Sequence, residues 1–181
     1  MIFAIKKLSA TILPLDRKKD DGGVKDLKNL EKQRSSMQNI RPAGHKDLER
    51  IAEIEVFNYR LNFYPIFQND GFYFDELTVS RLTEKYREET GFYVYDDGVV
   101  KGFVQVSERE IKKLFVEPVL QGKTIGKKLL DHAVSALNAG FLWVLEKNTR
   151  AISFYERSGF HLTKDKKFEE GTTESLVRME L

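Results

Sequence analysis

At 181 residues, 41% of them hydrophobic and 12% aromatic, the chain can bury one sizeable core and suits a single main domain. A net charge of +2 sets up no overall field that calls for nucleic acid or a membrane surface as partner. The absence of cysteine excludes disulfide frameworks, thiolate metal sites and cysteine nucleophiles, and it fits a reducing cytoplasm, the expected location.

The first stretch, Met1 to Leu15, carries Lys6 and Lys7 inside its apolar run and reads as neither signal peptide nor membrane span. Residues 1–36 hold nine Lys/Arg against five Asp/Glu, whereas the remainder holds 21 against 23. This charge break, with the breaker Asp20-Asp21-Gly22-Gly23, sets 1–36 apart as a basic extension from a main domain over 37–181. Val24, Leu27 and Leu30 at helical spacing leave a short docked helix open as an alternative to a tail.

A short strand at Asn39 to Pro42 should lead into a helix over His45–Tyr59, whose apolar positions include Leu48, Ile51, Ala52 and Val56. A second helix is expected over Asp75–Glu89. Phe92–Tyr95 and Val99–Val106 flank Asp96-Asp97-Gly98, and this pattern predicts a β-hairpin. Glu110–Val116 reads as a strand, Ile125–Leu137 as an amphipathic helix and Phe141–Leu145 as a strand. Thr149–Ser158 should be a helix stopped at Gly159, with closing strands at Phe160–Lys164 and Ser175–Leu181. Helices around a largely antiparallel sheet make an α/β (α+β-like) domain. His45, His132 and His161 are scattered without metal-ligand spacing, so no metal is assigned.

The most informative stretch is Leu114-Phe115-Val116-Glu117-Pro118, followed by Val119-Leu120-Gln121-Gly122-Lys123-Thr124-Ile125-Gly126-Lys127-Lys128. A strand ends at a proline, and a glycine-containing loop opens directly into a helix. Main-chain N–H groups at such a helix start form an anion site, and Gly122 and Gly126 let the backbone approach a ligand. Lys123, Lys127 and Lys128 add positive charge. A P-loop is excluded, because the glycine it needs five residues before Gly122 is Glu117. A dinucleotide fingerprint needs three spaced glycines, and only two are present. A plain strand–turn–helix connection with solvated lysines remains the alternative at this point.

Val116-Glu117-Pro118 followed by Gln121-Gly122-Lys123-Thr124-Ile125-Gly126 resembles the coenzyme loop of the GNAT acetyltransferase superfamily. Asn148-Thr149-Arg150-Ala151-Ile152-Ser153-Phe154-Tyr155, closed by Gly159-Phe160, resembles its second signature. The resemblance covers residues 39–181 and departs from the family at Thr124, which stands where a glycine is usual. It implies a sheet splayed between two parallel strands and acetyl-CoA as cosubstrate. Its pyrophosphate would be held by the amides of Gln121, Gly122, Lys123, Thr124, Ile125, Gly126 and Lys127. Its pantetheine would run along Leu114, Phe115 and Val116, with Asn148 and Phe154 nearby and an oxyanion donor near Phe115 or Val116. Thr124 can offer a cap through its hydroxyl, at a cost if φ there is positive.

The same resemblance implies that Tyr155 is the acid toward the departing thiolate. It also implies that Glu110, six residues before Val116, is the base. An alkylammonium must lose a proton before it attacks, at a cost of about 4 kcal/mol at pH 7. The acceptor segment would be the aromatic stretch holding Phe57, Tyr59, Phe63, Tyr64, Phe67, Phe72, Tyr73 and Phe74, with Glu53, Glu55, Asp70, Asp75 and Glu76 among them. Most of these rings are expected in the core, and the remainder with the carboxylates would hold an ammonium. The expected reaction is acetylation of a small-molecule primary amine in a ternary complex. The alternatives are protein N-terminal or lysine acetylation, or a non-catalytic acyl-CoA-binding domain. Trp143 stands where some N-terminal acetylators carry a glutamate. Family members are often dimers, so a homodimer is an expected assembly.

Overall fold

A computed structural model describes residues 39–181; the basic extension at 1–36 lies outside the described residues. Seven strands form one sheet. They are β1 (Ile40–Pro42), β2 (Phe92–Asp96), β3 (Val100–Ser107), β4 (Glu110–Val116), β5 (Phe141–Leu145), β6 (His161–Phe168) and β7 (Ser175–Glu180). Their order across the sheet is β1-β2-β3-β4-β5-β7-β6, antiparallel throughout except for β4 beside β5. No helix among the described residues is long and apolar enough to cross a membrane.

Each face of the sheet carries its own core. Helix α1 (Leu48–Asn62) buries Leu48, Ile51, Ala52 and Ile54 against Phe92, Val94 and Phe103. On the other face, helix α4 (Ile125–Leu137) sets Ile125, Leu129, Leu130 and Ala133 against Ile111, Val116 and Leu142. Helix α5 (Thr149–Glu156) joins that core through Tyr155. Burying these apolar stripes is the main source of stability, at roughly 1.5–3 kcal/mol for each large side chain.

Strand β4, helix α4 and strand β5 fall where the residue pattern puts them. Elsewhere the expectations shift. Helix α1 runs three residues beyond Tyr59. The predicted helix over 75–89 is split, because Thr78 is extended (φ −114°, ψ 154°) and its hydroxyl accepts from the Arg81 N–H at 3.4 Å. Helix α3 (Val79–Tyr86) starts there, and the preceding Gly71–Glu76 form a π-helical turn. Between α1 and that turn lies a single helical turn, α2 (Tyr64–Phe67). Strand β6 continues past Lys164 because Lys166, Lys167 and Phe168 pair with Val177, Leu176 and Ser175 of β7. Its charged sequence follows from its edge position, where lysines discourage pairing with other chains.

Candidate active site

The parallel pair is the break in the sheet. Strands β4 and β5 pair only through Glu110–Phe141 and Ile111–Leu142, then diverge. At the same place β4 bulges. Gln105 and Val106 of β3 oppose Lys113 and Ile111, which leaves Lys112 as the extra residue. Beyond Lys112 the edge of β4 facing β5 is open.

Strand residues send their main-chain groups alternately to the two sides. The Glu117 N–H bonds the Lys101 carbonyl in β3 at 2.9 Å, so Glu117, Phe115 and Lys113 face β3. Leu114 and Val116 therefore present their polar groups to the open edge. Of the two residues near which an oxyanion donor is expected, Val116 faces the open edge and Phe115 faces β3.

At the end of this edge the chain turns through Pro118–Leu120 and enters α4. The N–H groups of Gln121 and Lys123 bond the Pro118 and Leu120 carbonyls, both at 3.3 Å. Both amides are engaged inside the turn at the long end of hydrogen-bond distance. The first intrahelical bond is Lys128 N–H to Thr124 C=O, 3.0 Å, so the amides of Ile125, Gly126 and Lys127 precede the helical ladder. Gly122 has φ +80° and open space where a side chain would be, as a backbone approached by a ligand requires. Thr124 also sits at positive φ (+66°), a strained state for a β-branched residue, and its hydroxyl makes no cap bond. The expected hydroxyl cap is therefore absent. The loop geometry itself orients these amides.

A groove of about 390 Å³ lies in the splay. It is lined by Leu114, Phe115, Val116, Gln121, Gly122, Thr124, Gly126 and Lys127 from the strand and loop, and by Asn148, Phe154 and Tyr155 from the second signature. Of the predicted coenzyme residues, Lys123 and Ile125 do not line it. Lys123 is exposed and Ile125 is buried in the core, so only its amide remains available. Lys128 leans over the Tyr95 ring instead of toward the groove. Asn148 caps α5 by accepting from the Ala151 N–H at 3.1 Å. This cap aims Tyr155 into the groove, with its ring packed edge-on against Phe154 and Phe160. Burial pushes the Tyr155 phenol well above its ordinary value, so it stays protonated at neutral pH.

Glu110 stands apart. It sits at the closed end of the splay, four residues along β4 from Leu114, roughly 13 Å at strand rise. Its carboxylate accepts from Lys112 Nζ at 2.5 Å, and it does not line the groove. None of the lining residues is acidic, whereas Lys127, Arg150 and Arg157 are cationic, which suits a phosphorylated ligand.

Sequence reasoning missed Arg150 and Arg157, although both lie within the second signature. It also missed Asn58 and Asn62 of α1, which form the opposite wall together with Phe63 of the expected acceptor segment. Asn58 is 2% exposed. Its Nδ2 donates to the carbonyls of Ile54 (2.8 Å) and Val116 (3.0 Å), and its Oδ1 accepts from Gln121 Nε2 (2.9 Å). Nearby, Glu55 is also 2% exposed and accepts from Lys113 Nζ at 2.8 Å and from the Tyr86 hydroxyl. Burial and then the Glu55 charge raise the Tyr86 phenol far above its ordinary value. Glu55 is thus engaged inside the protein and is not the free ammonium ligand expected of that segment. Among the eight aromatics expected there, only Tyr73 is fully buried. Tyr59, Phe63, Tyr64 and Phe67 pack around it, while Phe57 and Phe74 are about half exposed, at 50% and 49%.

Comparisons with known proteins agree with this fold. A sequence model described as an acetyltransferase (GNAT) domain matches residues 88–162. The peptidyl-lysine N-acetyltransferase YjaB of Salmonella typhimurium is 26% identical over 129 residues, covering 70% of this chain and 86% of YjaB. The solution structure of apo YjaB from Escherichia coli superposes with a TM-score of 0.58 at 22% identity, over 78% of this chain and 95% of that one. The crystal structure of the PaiA N-acetyltransferase from Thermoplasma acidophilum in complex with coenzyme A gives 0.57 at 19% identity, over 78% of this chain and 98% of that one.

Proposed function

The chain belongs to the GNAT superfamily of acetyl-CoA-dependent N-acetyltransferases, and from that membership we propose that it acetylates a primary amine, with a lysine side chain of another protein as the acceptor. The observation that carries the acceptor reading is an exposed apolar shelf on the helix that supplies the groove's opposite wall. Phe57 and Leu61 lie next to the groove residues Asn58 and Asn62 on α1 and are 50% and 56% exposed. A folded protein surface can rest on such a shelf while one lysine reaches the splay, and a closed pocket for a free amine is not needed. The relative named for peptidyl-lysine acetylation supports the same reading.

In this reading the amides of Gly122, Ile125, Gly126 and Lys127 receive the coenzyme diphosphate at the start of α4. The pantetheine arm pairs with the open edge of β4 as an added strand. Its thioester oxygen meets a main-chain N–H of that edge as negative charge develops. The amine attacks directly, since holding both reactants in one groove supplies much of the rate. Tyr155 donates a hydrogen bond to the departing thiolate. The ammonium proton passes along a chain of waters to Glu110, whose carboxylate stands outside the groove.

The small-amine reading keeps one observation. Burial, then the charge of Glu55 and after it that of Glu169 in the turn between β6 and β7, raise the Tyr59 phenol, and burial with the Glu169 charge raises Tyr73 to about 12. A carboxylate whose charge reaches two tyrosines would also attract a diffusible ammonium. The two readings separate in an acetyl-CoA consumption assay over spermidine, free amino acids, lysine-containing peptides and a folded lysine-rich protein. Turnover should be highest on the folded protein. Turnover confined to small amines would overturn the lysine reading, and turnover on none of them would overturn amine acetylation.

A further inference from the structure

Asn58 belongs to α1, on the acceptor side, yet its side chain is committed to the coenzyme side. It is buried, it lines the groove, and its amide is saturated. One donor holds its own helix at Ile54. The other crosses to the Val116 carbonyl on the open edge of β4, and its oxygen receives Gln121 from the coenzyme loop. Gln121 Nε2 also reaches the Val116 carbonyl, at 3.4 Å.

The open edge has few groups to offer a ligand, and this bracket removes one of them. With the Val116 carbonyl covered by two side-chain amides, an arriving strand-like chain can use the polar groups of Leu114 and the N–H of Val116, but not that carbonyl. The register of an added strand is thereby limited to one alignment. The same bracket fixes Gln121, and so the path of the main chain into Gly122 and α4. Resting on the coenzyme reading given above, we propose that Asn58 is a positioning residue for the coenzyme. It sets the register of the pantetheine arm and the orientation of the diphosphate loop, working as one unit with Gln121.

An apolar replacement leaves the Val116 carbonyl with only the longer Gln121 bond, so Asn58→Ala should loosen both features together. Titration calorimetry with coenzyme A on the full chain tests this directly, beside acetyl-CoA kinetics. Asn58→Ala and Gln121→Ala should each weaken coenzyme binding about tenfold and raise KM for acetyl-CoA similarly, with kcat within about threefold of the unchanged protein. The double variant should be no weaker than about tenfold, because the two side chains act through each other. Unchanged coenzyme affinity in a folded Asn58→Ala protein, or effects of the two changes that simply add, would overturn the proposal. If Asn58→Ala does not fold, the partly exposed Gln121 gives the answer alone, since its replacement with no change in affinity removes half of the unit. Failure of the unchanged protein to bind coenzyme A would instead overturn the functional reading beneath it.

Discussion

The two walls of the groove are built in different ways. The coenzyme wall, from β4 through α5, presents mostly main-chain groups shaped by local turns: a proline after the strand, Gly122 at positive φ, and a helix start. The acceptor wall, from α1 through α3, depends on side chains that meet across long separations in sequence. Lys113 joins Glu55 and Tyr86, and Asn58 joins Val116 and Gln121. Local chemistry specifies the first wall residue by residue, whereas the second exists only once the sheet has formed.

The largest expected effect comes from breaking the acceptor wall. Lys113→Met removes the cation beside a carboxylate that is 2% exposed and leaves only Tyr86 to satisfy it. Chemical denaturation should show a loss of about 3 kcal/mol, as expected for half of a buried pair. A loss below 1 kcal/mol would mean that water replaces the lysine freely.

Next in size is a change confined to chemistry. Tyr155→Phe keeps the packing against Phe154 and Phe160 and removes the hydroxyl. Turnover should fall about a hundredfold while acetyl-CoA affinity stays unchanged. Parallel losses in both would assign the tyrosine to binding instead.

The smallest change sharpens the coenzyme wall. Thr124→Gly relieves a β-branched residue at φ +66° whose hydroxyl makes no cap bond. Strain relief less the flexibility of glycine should stabilise the protein by about 1 kcal/mol, with equal or tighter coenzyme binding. Weaker binding would show that the hydroxyl itself touches the ligand.

The same contrast explains what could be read in the residues beforehand. The bounds of β4, α4 and β5 were legible because apolar periodicity, Pro118 and the glycines act within a few positions. The splay followed from the family resemblance, but the bulge at Lys112 did not, since a bulge depends on how β3 aligns with β4. The split at Thr78 was missed because the apolar spacing of Leu77, Leu82 and Tyr86 runs straight across it. Asn58 gave no signal, because an asparagine on a helix is ordinary until its partners 58 and 63 positions away are known. Glu110 shows the reverse case: a matching spacing located a residue on the right strand, and the folded sheet then set it outside the groove.

The first strand carries a consequence for the protein in acid. It has three residues, and Arg41 ties it to both Asp47 and Asp96, at 2.7 Å each. That guanidinium holds both carboxyls below their ordinary 3.8, so the tie is at full strength above that value and weakens as pH drops through the lower folded values. Protonation would thus release a latch at one margin of the sheet. Amide hydrogen exchange in mild acid should accelerate first at Ile40 and Arg41, marking this margin as the place where unzipping begins.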